Sequence, residues 1–346
     1  MKLLKTNKTV IAAVLVCLSF LLFSCQKDNP EKPTSKINYH FATLSEGQQL
    51  LAANDEYYNS MSQSNIDWRM RRTGASLDEL KALAQTCVRD FSDEEKTAIT
   101  RAVAFIEAKL NAIGASLPFP ENDIVFVRTT MQEESNAGGY THKTEIYVGE
   151  RMLRYGIPRE GDDEATTESR WLYFNYAIAH ELFHCLTRNS PEFRSQMYNL
   201  IGFTTTTSDF VFSTDIQDRI LINPDVEHID NYAEFTINGA KRNCELLVLF
   251  TKTWGEAYAE VEDEASFFDY NQAVLVPIDA LDTYYPVDEV PDFWDIVGNN
   301  TDYVIAPEEC LADNFGFTVV YGLDGKEYQT PELITSIYNA LRNYRE

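Results

Sequence analysis

The segment 177–193, "AIAHELFHCLTRNSPEF", sets two histidines four residues apart with a glutamate directly after the first. Four residues make about one helical turn, so His180 and His184 project from one face and their imidazoles can converge on one tetrahedral cation. Glu181 lies about 100 degrees round the same helix, where a carboxylate reaches a water on that cation without binding it. The competing reading is a surface helix with two solvated histidines. Against it stand the flanks "FNYAIA" and "LF", apolar almost all round, which predict a buried helix whose histidines need partners.

Working outward, the spacing predicts one helix through 168–189 with Leu172, Tyr176, Ala179, Phe183 and Leu186 toward a core. Asn189, Ser190 and Pro191 end it and start another, since proline suits a first helical turn. Upstream, "DIVFVRTTM" (123–131) and "KTEIYVGERM" (143–152) are β-branched and aromatic and read as two strands of a small sheet. A strand in "NAGGYTHKTEIYV" just before the helix offers an edge along which an extended peptide can pair, with His142 an ordinary strand residue.

Further upstream, Ser45 with Gln48, Ser76 with Glu79, and Ser92 with Glu95 have capping-box spacing. After the third, Ile99, Val103, Ile106, Leu110 and Ile113 fall on one helical face, and Gly114 supplies the stop. Downstream, 203–300 is strand-like, with Asn238-Gly239 joining a hairpin. "APEECLADNFGF" (306–317) predicts a short helix opened by Pro307 and closed before Gly316. A last helix starts at Thr330-Pro331 and buries Leu333, Ile334, Ile337, Tyr338 and Leu341. The expected class is α+β, with a small mixed sheet, an active-site helix and a helical N-terminal region.

A catalytic zinc takes a third protein ligand. A third histidine six residues on, after a glycine, is ruled out by Thr187 and Ser190, and Phe203 and Thr204 stand where a closely spaced glutamate would be. Glutamate followed four residues later by aspartate remains, and C-terminal to His184 it occurs only at Glu309 and Asp313. Both carboxylates then share one helix face. Glu308 is the alternative ligand; Glu256 and Glu260 fit a solvated acidic face better.

"AHELFH" followed far downstream by "PEECLADNF" resembles the gluzincins, zinc peptidases with two motif histidines and a glutamate on a later helix. The chain is similar in particular to uncharacterised bacterial zinc-metallopeptidase lipoproteins. Their motifs HELFH…R.SPE.R…Y..IGF, NPD and PEE.LADNF match at 180–203, 223–225 and 307–315, within a resemblance spanning roughly 90–345. The resemblance implies a zincin-like catalytic domain in which His180, His184 and Glu309 bind Zn2+, Glu181 is the general base and Asp313 orients a ligand histidine. The gap from His184 to Glu309, 309 − 184 = 125 residues, is much longer than in thermolysin-like enzymes.

The N-terminus has a basic start (Lys2, Lys5, Lys8) and an apolar run from Thr9 to Phe23, the pattern of a secretory signal over 1–24. "LFSC" resembles a bacterial lipoprotein box, which makes Cys25 the lipidation site of an outer-membrane lipoprotein of the cell envelope; "KDNPE" suggests that it faces outward. Residues 25–41 read as a flexible tether and 42–346 as a single domain, divided into a helical preface (42–115) and a catalytic core (116–346). Without the signal, 26 basic residues stand against 54 acidic ones, a charge of 26 − 54 = −28 that argues against nucleic acid. Cys87, Cys185, Cys244 and Cys310 permit three pairings, among them a Cys185–Cys310 bridge.

The expected function is a membrane-anchored zinc peptidase that hydrolyses peptide bonds through a zinc-activated water, its partners a peptide or protein substrate and, through the lipid alone, a membrane. The alternatives are a non-catalytic binding lipoprotein with a structural or vestigial zinc site, and a zinc amidase or esterase. His228 and Tyr232 are candidates for stabilising an oxyanion, and neither is assigned that role.

Overall fold

The computed structural model describes residues 35–345. The signal segment, Cys25 and the first part of the tether lie outside the described residues. Order begins earlier than residue 42. Tyr39–Phe41 (β1) pairs in parallel with Ile124, Val125 and Phe126, and Ser35 and Ile37 are buried. The alternation of Ile37, Tyr39 and Phe41 is a strand pattern that the polar residues between them conceal.

Four helices follow: α1 (Leu44–Ala52), α2 (Asp55–Ser60), α3 (Gln63–Met70) and α4 (Leu77–Cys87). The first is capped by Thr43 with Glu46 rather than by Ser45 with Gln48. The capping boxes at Ser76 and Ser92 form as expected, and Gly114 ends α5 (Asp93–Ile113), whose five apolar residues are buried. The short strand β2 (Val88–Arg89) links α4 to α5.

The first sheet has the order β1-β3-β5-β4, with β2 paired to β3; here β3 is Ile124–Thr129, β4 Gly139–His142 and β5 Glu145–Val148. Its strands run both parallel and antiparallel. The unbroken apolar run "IVFV" reflects burial on both faces. Ile124 and Phe126 join the main core with α5 and the histidine helix, whereas Val125 and Val127 pack with Leu51, Tyr58 and Leu80 of the preceding helices. The expected second strand stops at Val148, and Glu150–Gly156 is helix α6.

Next come α7 (Glu164–Asn189), which carries both histidines, and α8 (Pro191–Asn199), which opens on proline with Ser190 as its cap. The region 203–300 forms a second, antiparallel sheet of order β10-β9-β8-β7-β6. Its strands are β6 (Thr204–Thr205), β7 (Asn231–Ile237), β8 (Ala240–Phe250), β9 (Asn271–Pro277) and β10 (Tyr285–Pro286), with helices α9 (Thr214–Arg219), α10 (Trp254–Val261) and α11 (Phe293–Val297) between or after them. Asn238 and Gly239 both adopt positive φ at the hairpin turn. The chain closes with α12 (Pro307–Val320) and α13 (Pro331–Asn343), the latter burying Leu333, Ile334, Ile337 and Leu341 while Tyr338 stays half-buried. The class is α+β.

Helix α12 runs through Gly316 instead of ending before it. This glycine serves close packing: a Cβ there would lie 2.8 Å from Tyr176 Cδ2 and 3.1 Å from the Tyr176 carbonyl oxygen of α7. Gly316→Ala is therefore expected to destabilise the fold by about 1–3 kcal/mol, measured by denaturant unfolding, because backbone cannot yield as a flexible side chain can. The four described cysteines are buried free thiols, so no bridge joins Cys185 to Cys310. Among the described residues no helix is long and apolar enough to cross a membrane.

Candidate metal centre

Helices α7 and α12 lie against each other, and the residues that carry chemistry meet along that seam. His180 Nε2 stands 3.0 Å from Glu309 Oε2, and His184 Nε2 stands 3.7 Å from the same oxygen. All three side chains offer a donor atom within 4.8 Å of the others. Residues 129 positions apart in the chain are thus brought to one point.

The opposite ring nitrogens are both committed. His180 Nδ1 donates to Asp313 Oδ1 at 2.8 Å, and His184 Nδ1 donates to Glu308 Oε1 at 2.9 Å. Each imidazole is thereby oriented with Nε2 toward Glu309, and in its neutral form carries its proton on Nδ1, which leaves Nε2 able to bind a cation. Asp313 is held in turn by the Tyr176 and Thr301 hydroxyls, and Glu308 by Thr187 at 2.6 Å and Tyr198 at 2.8 Å. These hydrogen bonds and the adjoining histidines outweigh the burial that would raise both carboxyls, and hold them below their ordinary values. Burial pushes His180 and His184 toward the neutral form, but the carboxylates beside them win and raise both.

His184 Nε2 decides whether a metal suits the site. It is buried, faces other potential ligands, and has no hydrogen-bond partner among the described residues. A buried polar nitrogen left unpaired costs on the order of 1–3 kcal/mol. Two imidazole nitrogens and a carboxylate oxygen are a donor set that zinc accepts, so the residues fit the ion.

Glu181 projects beside this triad without joining it. Its Oε2 accepts from Thr141 Oγ1 at 2.8 Å, which ties the base position to β4, the edge strand of the first sheet. The strand comes this close because Gly139 lacks a side chain; a Cβ there would lie 2.9 Å from Glu181 Oε1. Burial raises the Glu181 carboxyl, while the two histidine charges oppose the shift.

The loop 223–225 supplies two residues to which the sequence reading gave no role. Asn223 donates from its amide to Glu309 Oε1. Asp225 accepts from the outward backbone N–H of Thr141 at 2.6 Å and stands 3.9 Å from His184 Nε2. The edge of β4 thus exists as expected, but one of its outward donors is occupied by this carboxylate. Burial raises the Asp225 carboxyl well above its ordinary range. "NPD" stood out in the sequence only as part of the resemblance. Likewise Glu308, the alternative ligand, instead orients His184.

No family model matches the chain, and no curated protein or solved structure does so either.

The remaining candidates lie elsewhere. His142 is a buried strand residue packed against Tyr57, with ring centroids 4.4 Å apart and the planes tilted, and its imidazole is kept well below the ordinary range by burial. His228 pairs with Asp209 at the surface, and Tyr232 sits in β7 opposite Thr204; neither hydrogen-bonds to the histidine pair. Thr253 caps α10 with Glu256 as its capping-box partner, and Glu260 pairs with Lys252, a solvated face as expected. Replacing Glu308 by Gln or Asp313 by Asn should each weaken zinc binding by about 10–100-fold in competition with a chelator, because each frees one imidazole to rotate.

Proposed function

We propose that the protein is a zinc-dependent peptidase in which His180, His184 and Glu309 hold the ion and Glu181 is the general base. The observation that carries this reading is the unpartnered, buried Nε2 of His184 facing Glu309, with Glu181 anchored alongside by Thr141. Zinc, when bound, supplies Lewis acidity and lowers the pKa of a water to near neutral. The Glu181 carboxylate accepts the proton that the attacking water loses and hands it to the leaving amine. Thr141 aims the carboxylate, and Asp313 and Glu308 keep the imidazoles from swinging. Tyr303, a partly exposed phenol whose ring lies 6.2 Å from that of His180, offers a donor to the oxyanion. The lipid on Cys25 would hold this domain at a membrane.

One observation favours the competing reading, a binding lipoprotein with zinc as a staple: the Asp225 carboxylate beside His184 could close the coordination shell. Digestion of a peptide library by the zinc-loaded protein, followed by mass spectrometry, separates the two. Discrete cleavage sites that vanish with chelator are expected; an uncut library, with zinc retained, would leave the staple. Ester and non-protein amide substrates run in parallel separate the amidase or esterase.

A further inference from the structure

A cavity of about 380 Å³ lies beside the metal centre, between the N-terminal helices, the end of β4 and the second sheet. Asn223, the residue that donates to Glu309, forms part of its wall. Its apolar lining includes Ile220, Ile222 and Leu247. Two buried acceptors also line it. Glu245 is 2% exposed, accepts only the Asn231 backbone N–H (3.0 Å) and has no ion-pair partner among the described residues. Asn231 is 1% exposed, and its side-chain oxygen has no hydrogen-bond partner among the described residues.

A carboxyl that meets a single donor and an amide oxygen that meets none, beside an apolar wall, call for a ligand with an aliphatic stem and a cationic, donor-rich head. A lysine or arginine side chain has that form. The walls cover the stem and the head meets Glu245 and Asn231. Lys143 is the one lysine or arginine among the lining residues; Glu227 is paired with Arg188 and Asp209 with His228, which leaves Glu56 and Glu245 as the lining carboxyls without an ion-pair partner among the described residues. Strand β4 links the two places: Thr141 touches Glu181, and the next residues, His142 and Lys143, line the cavity. At about 3.3 Å per residue, the cavity wall at His142 and Lys143 begins within a residue or two of the Thr141 that touches Glu181, so a side chain that close to the bond at Glu181 falls within its reach.

We propose that this cavity is the subsite for a basic side chain of the peptide substrate, with Glu245 and Asn231 as its specificity-determining residues. The substrate class rests on the peptidase reading; the binding of a basic side chain does not.

Calorimetry with the full chain, with and without chelator, tests it. The probes are N-acetyl-arginine amide and N-acetyl-citrulline amide, which share a shape and differ in charge. Wild type should bind the arginine amide at least about tenfold more tightly than the citrulline amide, as loss of a charge-assisted pair implies. Glu245→Gln should lose that preference while holding the same zinc. Ile229→Trp, which fills the cavity from a half-buried position, should lose both probes and serves if Glu245→Gln does not fold. Equal binding of the two probes, no binding of either, or a preference retained in both variants would overturn the proposal. An arginine preference that persists in chelator while the peptide library stays uncut would sink the peptidase reading and leave the subsite standing.

Discussion

Glu181→Gln is expected to keep one zinc per chain and to lose hydrolysis by about 10²–10⁴-fold, the range over which a positioned base contributes. The substitution is nearly isosteric, which matters because Gly139 leaves little room beside this side chain. The amide oxygen can still accept from Thr141 Oγ1, so the contact between α7 and β4 survives. What disappears is the capacity to take a proton. The measurement is the turnover of a cleaved library peptide together with zinc content and the unfolding midpoint. A variant that folds, holds zinc and still cuts at the wild-type rate would remove Glu181 from the mechanism. A variant that loses the ion would make Glu181 a ligand, as its place in a second donor group with His184 and Asp225 allows.

Glu309→Ala should lower zinc affinity by at least about a hundredfold, because it removes one of three protein ligands, where loss of an orienting residue alone costs 10–100-fold. The same change strips His180 Nε2 of its partner at 3.0 Å and leaves the Asn223 amide without its acceptor. Stability without zinc should therefore fall by on the order of 1–3 kcal/mol through newly unpaired buried groups. Chelator competition reads the first effect and denaturant unfolding the second. Undiminished zinc affinity in Glu309→Ala would transfer the third-ligand role to Asp225, which already stands near His184.

What the sequence disclosed about this site depended on separation along the chain. His180, Glu181 and His184 are legible because one helical turn sets their relation, and Glu309 with Asp313 repeats that turn on a second helix. The pairing of the two helices needed the rarity of the second spacing, not geometry. Asp225 was missed, and Glu308 was read as an alternative ligand and not as the residue that orients His184, because their contacts with Thr141 and His184 span 84 and 124 residues and no local pattern announces them. The fold shows the same division. Helix starts with a capping box were visible at Ser76 and Ser92, yet Gly316 looked like a stop. Its real constraint, the Tyr176 backbone of another helix, is written nowhere near it. The strand Tyr39–Phe41 was passed over because its partner lies more than eighty residues away, whereas its neighbours resemble linker.

If His180, His184 and Glu309 form a zinc centre, the ion must load stoichiometrically and depend on all three side chains. The most direct test is zinc content by elemental analysis of the wild-type chain after stripping, controlled reloading and removal of excess ion, with Glu309→Ala alongside. One zinc per wild-type chain and none in the variant is the expected result. Wild type that stays zinc-free after reloading would contradict it and leave the two histidines as an unexplained pair in a buried helix.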